Sequence, residues 1–179
     1  IFIYNASSKT VKHLSADGVL DTSFGSGGVV TLFTTGISNA NMTIVTNKLW
    51  IGGFYYSAGG NFPGIVCRLN LNGTLDNSFS GYSANNITED NVPYGIFRLP
   101  SGKILMYNSN SLIRFNSDGT VDTSYANNGV RTISFEIGEL QIMGTSLYLH
   151  DYWNKRLIKL ENETATNTSV YNLPQNSSF

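Results

Sequence analysis

One cysteine, four prolines and a charged fraction of 13% mark what this 179-residue chain has little of. With Cys67 as the lone thiol, no internal disulfide can form, so crosslinks do not staple the fold. Charged residues are about half the ~25% usual for soluble chains. The 11 basic and 12 acidic side chains form no block of either sign. That removes the electrostatic footprint of a nucleic-acid-binding protein. The longest apolar stretches, such as Leu49 to Tyr56, fall well short of the ~20 residues of a membrane-spanning helix. The sequence as it stands shows no secretory leader and no lipidation box. It also lacks an initiating Met and opens inside an apolar run, which is expected of a piece cut from something longer. No stretch holds a 3.6-residue apolar period for three turns, so helices are not expected.

What is present is core material and repetition. Hydrophobic residues make up 41% and aromatics 12%, while Asn, Ser, Thr and Gly carry the polarity. That balance suits a surface or secreted protein. Leu14-Ser15-Ala16-Asp17-Gly18-Val19-Leu20-Asp21-Thr22-Ser23-Phe24 returns as Leu69 to Phe79 and again as Phe115 to Tyr125. A worn fourth copy runs from Leu160 to Val170, with Thr164 at the glycine position and Asn167 at the aspartate position. The anchors 18, 73, 119 and 164 are 55, 46 and 45 residues apart. Such a period implies an array of similar units, each too small to bury its own apolar face.

Each unit reads as four short runs of β-branched and aromatic residues punctuated by Gly, Pro, Asn and Asp. The third shows it best: Tyr94 to Leu99, Ile104 to Tyr107, Leu112 to Phe115 and Val130 to Ser134. Met42 to Val45, Leu49 to Gly52 and Ile65 to Leu69 fit the same layout. So do Leu140 to Met143, Leu147 to His150, Leu157 to Leu160 and Ser169 to Leu173. At the start, Ile1 to Tyr4, Val11 to Leu14 and Val29 to Phe33 match strands two to four, and the first strand is missing. The expected fold is all-β, a β-propeller or propeller-like array of antiparallel four-stranded blades. Its approximate units are 1–36 (partial), 37–91, 92–137 and 138–179.

The motif resembles the delta-60-repeat β-propeller family, whose units read L-N-x-D-G-x-L-D-x-S-F-G. Asp17, Gly18, Leu20, Asp21, Ser23, Phe24, Gly25 and Gly28 match it, as do Asp118, Gly119, Asp122, Ser124 and Gly129, with Val121 and Tyr125 as substitutes. The second copy keeps Gly73, Leu75, Asp76, Ser78 and Phe79 and has Asn72 for the aspartate. The resemblance implies a scaffold found in large extracellular or cell-surface proteins.

Asp-Gly suits a tight turn, and the second aspartate with Ser two residues on can satisfy loop amides. Phe24, Phe79 and Tyr125 are expected as aromatic pegs between units. Paired aspartates also raise calcium, but each motif offers two carboxylates at most, which favours turn capping and no cofactor. His13 and His150 stand apart from any metal-binding spacing. No G-x-S-x-G elbow appears, and Glu89-Asp90, Glu136/Glu139 and Glu161/Glu163 read as solvated loop acids rather than a catalytic pair. Cys67 alternates with Val66 and is expected to be half-buried.

N-x-S/T sequons start at Asn5, Asn41, Asn72, Asn86, Asn162, Asn167 and Asn176. About four would arise by chance at this composition, so the surplus is modest. Asn41, Asn86 and Asn162 are expected in loops. Trp50, Phe54, Tyr55 and Tyr56 cluster beside the glycine-rich stretch holding Phe62. Trp50, Tyr55, Tyr56 and Phe62 are therefore candidate sugar-stacking residues, set against a plain reading as blade core.

The expected function is a non-enzymatic extracellular or cell-surface structural, adhesive or protein-interaction module. Its partners would be other protein subunits or cell-surface components, not nucleic acid. The vacant first strand suggests completion by residues 174–179, completion by a neighbouring subunit through strand addition, or excision from a longer propeller of more blades. A glycan-binding, lectin-like propeller is the alternative.

Overall fold

A computed structural model of the chain describes residues 1–32, 38–54, 64–79, 94–166 and 168–174. These form fourteen strands and, among the described residues, no helix. No helix is therefore long and apolar enough to cross a membrane, which says nothing of strands. The chain divides into two compact units, Ile1–Pro93 and Tyr94–Phe179.

The first unit holds β1 (Phe2–Asn5), β2 (Thr10–His13) and β3 (Val29–Thr31), in the order β1-β2-β3. Beside them in sequence come β4 (Ser38–Val45), β5 (Lys48–Phe54) and β6 (Gly64–Asn70), in the order β4-β5-β6. The second unit holds two four-stranded sheets. One contains β7 (Gly95–Arg98), β8 (Ile104–Tyr107), β9 (Ser111–Phe115) and β10 (Val130–Thr132). The other contains β11 (Ile137–Met143), β12 (Ser146–Asp151), β13 (Arg156–Leu160) and β14 (Thr168–Asn172). All neighbours run antiparallel, as short hairpins dictate. At the β4–β5 hairpin, Thr46 (φ 46°) and Asn47 (φ 59°) both take positive φ. That is the two-residue turn whose twist matches the flanking strands.

Register shows that the sheets are copies. Phe2 pairs with His13, Trp50 with Arg68 and Leu105 with Arg114. β1 is thus the counterpart of β5 and β8, so the first sheet lacks a first strand among the described residues. The fourth strand expected after Phe79, and residues 175–179, lie outside the described residues.

Each unit buries one core between its two sheets. In the first, Val11 and Phe24 share a cluster with Leu49, Ile51, Cys67 and Leu69. In the second, Leu105, Leu112 and Tyr125 meet Leu140, Leu147 and Leu160. The central strands β5 and β8 are covered on both faces; Leu49 to Gly53 and all four residues of β8 are buried. This corrects the half-buried expectation for Cys67. It and Val66 are both buried although they point to opposite faces. Burial pushes the Cys67 thiol up to about 12, which leaves it unreactive.

Blades also meet through backbone. Gly25 N–H donates to Asn72 O at 2.8 Å, joining the loop after β2 to the turn after β6. A Cβ on Gly73 (φ +88°) would lie 2.6 Å from Val30 Cγ2 and 2.7 Å from Gly25 N. Gly18 (φ +79°) has the same backbone and open space around it. Gly18→Ala should therefore cost about 1–2 kcal/mol for the left-handed backbone. Gly73→Ala should cost about 2–5 kcal/mol, because overpacking adds to that strain. Urea unfolding of the two variants checks the difference; equal losses would mean no close approach at Gly73.

Candidate functional site

Two constellations stand out, one repeated at the blade corners and one present, among the described residues, in a single copy. The corner is built on the second aspartate of the motif. One oxygen of Asp76 accepts Ser78 N–H (3.1 Å) and Ser78 O–H (2.7 Å), and the other accepts Arg68 Nε at 2.8 Å and pairs with Lys48 Nζ at 3.0 Å. Asp122 repeats this with Ser124 (3.2 and 2.6 Å), Arg114 Nε (2.9 Å) and Lys103 Nζ (3.0 Å). Asp21 does so with Ser23 (3.0 and 2.6 Å) and His13 Nδ1 (2.8 Å). In each case this partner (Arg68, Arg114 or His13) stands eight residues earlier, and its carbonyl accepts the aspartate N–H. The loop is clamped at both backbone and side chain.

The aromatic peg packs against the same partner side chain. Arg68 sits 5.3 Å from Trp50 and 5.0 Å from Phe79, whose rings also meet edge-to-face, and Arg114 sits 4.5 Å from the Tyr125 ring centroid. His13 lies 4.4 Å from Phe2 and 5.8 Å from Phe24. Phe24 and Tyr125 are buried between sheets; Phe79 is half-buried. Burial pushes the Tyr125 phenol up to about 12, and its O–H donates to Glu163 O of the next sheet at 3.1 Å. The first aspartate is peripheral. Asp17 and Asp118 are exposed, and Asp118 accepts Thr120 N–H and O–H at 2.9 and 2.8 Å, as Asn72 does from Thr74. Gly18, Gly73 and Gly119 follow at positive φ.

In the fourth copy this turn is made by Asn162, which accepts Thr164 N–H and O–H. Thr164 therefore corresponds to Thr120 and not to Gly119; the turn is one residue shorter than the sequence alignment placed it. Asn167 lies outside the described residues. Sequence pattern set His13 apart from metal-binding spacings and did not single out Arg68, Arg114, Lys48 or Lys103. The eight-residue spacing from cation to aspartate was the available signal.

The oxygens that calcium would need at Asp76 and Asp122 face serine, lysine and arginine. Among the described residues no three His, Cys, Asp or Glu side chains gather at one point. Trp50 is fully buried against Arg68 and Phe79. This corrects its candidacy for sugar stacking: the ring is blade core. Tyr55, Tyr56 and Phe62 lie outside the described residues. Of the sequons, Asn5 is exposed and accepts Ser8 N–H at 2.9 Å. Asn41 is half-buried in β4, opposite Gly52, and not in a loop, because β4 extends further than its apolar run. Asn162 is half-buried in its turn. Asn86 and Asn176 lie outside the described residues.

The single-copy constellation is at the β12–β13 hairpin. Asp151 is fully buried and accepts Asn154 N–H (3.2 Å), Arg156 Nε (3.1 Å) and Arg156 Nη2 (2.5 Å). Burial raises its pKa, and the Arg156 and Asn154 hydrogen bonds outweigh this to leave it lowered. That anchor presents Tyr152 and Trp153, 52% and 71% exposed, as an edge-to-face pair 5.0 Å apart. Trp153 Nε1 donates to Glu136 Oε2 at 2.5 Å, and Tyr152 N–H to Glu136 O at 3.2 Å. Glu136 borders a groove of about 380 Å³ with Ser109, Asn110, Ile133, Ser134 and Phe135.

Residues 46–79 and 101–125 match the family described as "Domain of unknown function (DUF5122) beta-propeller". Each matched segment runs from the turn before a corner lysine to the aromatic peg. No curated protein matches the chain. The solved structure titled "Crystal structure of Nidogen/Laminin Complex" aligns over 96% of this chain at 14% identity with a TM-score of 0.58. The alignment spans 62% of the length of that chain. A protein of unknown function from Bacteroides caccae aligns over 95% of this chain and 80% of its own at 10% identity, with a TM-score of 0.39, too low to bear on the fold. Four successive antiparallel sheets, the repeat match and the first structural likeness make the fold that of a β-propeller.

The corners dictate a pH response. Hydrogen bonds from Ser78 and Ser124, then the lysine and arginine contacts, outweigh burial and hold Asp76 and Asp122 well below the usual carboxylate range. Their folded pKa values are depressed, so their contribution is complete above the unfolded value of about 4 and is lost as pH falls toward the folded values. Stability should therefore decline below about pH 4. In Asp76→Asn/Asp122→Asn that acid limb should flatten while stability at pH 7 drops. Urea midpoints across pH check this; an unchanged acid limb would remove the corners as its cause.

Proposed function

We propose that this chain is a non-enzymatic binding module of the extracellular or cell-surface space, a propeller scaffold that displays contact surface to proteins or other surface components. The observation that carries it is a division of labour. The buried carboxylates Asp76, Asp122 and Asp151 are consumed by structural ion pairs, while the Tyr152–Trp153 pair is held rigidly in solvent. Exposed aromatics at a fixed position are the usual anchors of recognition. The low charge content supports the location, and the motif residues from Asp17 to Gly28 support the narrower assignment to delta-60 repeats. A lectin-like form of this reading is favoured by the hydrogen-bonding groove beside Trp153.

Strand complementation extends the proposal. β1 is an edge strand among the described residues, with Ile1 and Ile3 exposed. A strand from a neighbouring subunit would complete that sheet. Beads coated with the intact chain should adhere to cells of its source, and Tyr152→Ala/Trp153→Ala should reduce adhesion with unchanged thermal unfolding. Beads that bind no better than uncoated ones would overturn the module reading. Sedimentation showing a monomer at every concentration would overturn complementation alone.

A further inference from the structure

Trp153 is the most exposed large apolar side chain among the described residues, and its position is not left to chance. A buried acid fixes the turn, Tyr152 abuts the indole edge-to-face, and Glu136 holds its N–H. A surface tryptophan tied at three points loses little freedom when something settles on it. Beside it, Ser109, Asn110, Ser134 and Glu136 bring hydroxyl, carboxamide and carboxylate groups around a groove of about 380 Å³. That volume is at the low end of small-molecule sites, roughly 300–1,000 Å³.

We infer that this groove and the Trp153 indole together bind a pyranose ring of a glycan. A pyranose has an apolar face of C–H bonds and a rim of hydroxyls. The first matches an exposed indole, and the second matches polar groups that both donate and accept. Glu136 spends one oxygen on Trp153 and keeps a second for a sugar hydroxyl. Two other occupants fit less well. A quaternary ammonium needs rings facing inward as a cage, whereas Tyr152 and Trp153 cross at 85° and cover each other's edge. A protein hot spot calls for a wide apolar surround, whereas this knob is flanked by a groove that sets Ile133 and Phe135 among Ser109, Asn110, Ser134 and Glu136. The proposal rests on the reading of the chain as a binding module and names what it binds. Contact is made through Trp153, with Glu136 and Asn110 as hydrogen-bonding partners.

The test uses the intact chain and methyl α- and β-pyranosides of glucose, galactose, mannose and N-acetylglucosamine, with choline as the cation control. Trp50 is buried, so acrylamide quenching of tryptophan fluorescence reads Trp153. At least one pyranoside should protect it saturably, and ligand-observed NMR should show saturation transfer to the ring C–H protons. Trp153→Ala should weaken binding at least about tenfold and Glu136→Gln about three- to tenfold. Both residues are exposed, so unfolding temperatures should stay unchanged. Binding that survives Trp153→Ala, protection by choline alone, or no protection by any pyranoside would each overturn the sugar site. Bead adhesion that persists without saccharide binding would leave the module reading standing and remove only this site.

Discussion

The carboxylate of the second aspartate in the first three repeats, gripped by serine on one side and by an arginine or histidine of the preceding strand on the other, is the constraint on which the blades depend. It closes the loop that follows the third strand at Asp21, Asp76 and Asp122. A largely buried ion pair adds little net stability, because desolvation offsets the attraction. What it supplies is geometry. With the loop clamped, Phe24 and Tyr125 have one position available, and that position is the core between sheets. The guanidinium beneath the ring joins electrostatics to packing, so the corner and the core are one structural element.

Departures from the repeat are as informative as its constancy. His13 replaces arginine in the first copy, and Ile1 pairs with Leu14 as Leu49 pairs with Leu69 and Ile104 with Phe115. The last sheet departs furthest. Its turn is shorter, and Glu163 faces back to accept Arg114 Nη1, while its carbonyl accepts Arg131 and Tyr125. The same sheet places a buried aspartate, Asp151, at its other hairpin, where it holds a tip that faces solvent. Scaffold chemistry has thus been reused at a second location, and there it positions exposed rings instead of buried ones.

Much of the fold was legible from local pattern. The runs Ile104 to Tyr107 and Leu157 to Leu160 sit within one residue of β8 and β13, because hairpin strands are set by apolar runs between turn residues. β4 was read too short: Ser38 to Asn41 are polar and small, and pairing with β5 holds them extended. Cys67 was misjudged because alternation reports one buried face, and a blade has two. Trp50 carried two readings, sugar stacking and blade core, because an aromatic cluster reads alike whether buried or displayed; its burial against Arg68, eighteen residues away, decides for core. Trp153 left a faint trace, two aromatics between Asp151 and Asn154 at a hairpin, with nothing to mark Glu136 as its partner.

By itself the sequence determined the unit: its period, its four runs, its Asp-Gly turn and its second aspartate. These are local properties, fixed by backbone preference and by hydrogen bonds across a few residues. Tertiary structure decided which cation meets which carboxylate, which aromatics vanish into the core, and that Tyr152 and Trp153 remain outside. Those outcomes depend on distances between residues far apart in the chain, and such distances exist only once the sheets have packed.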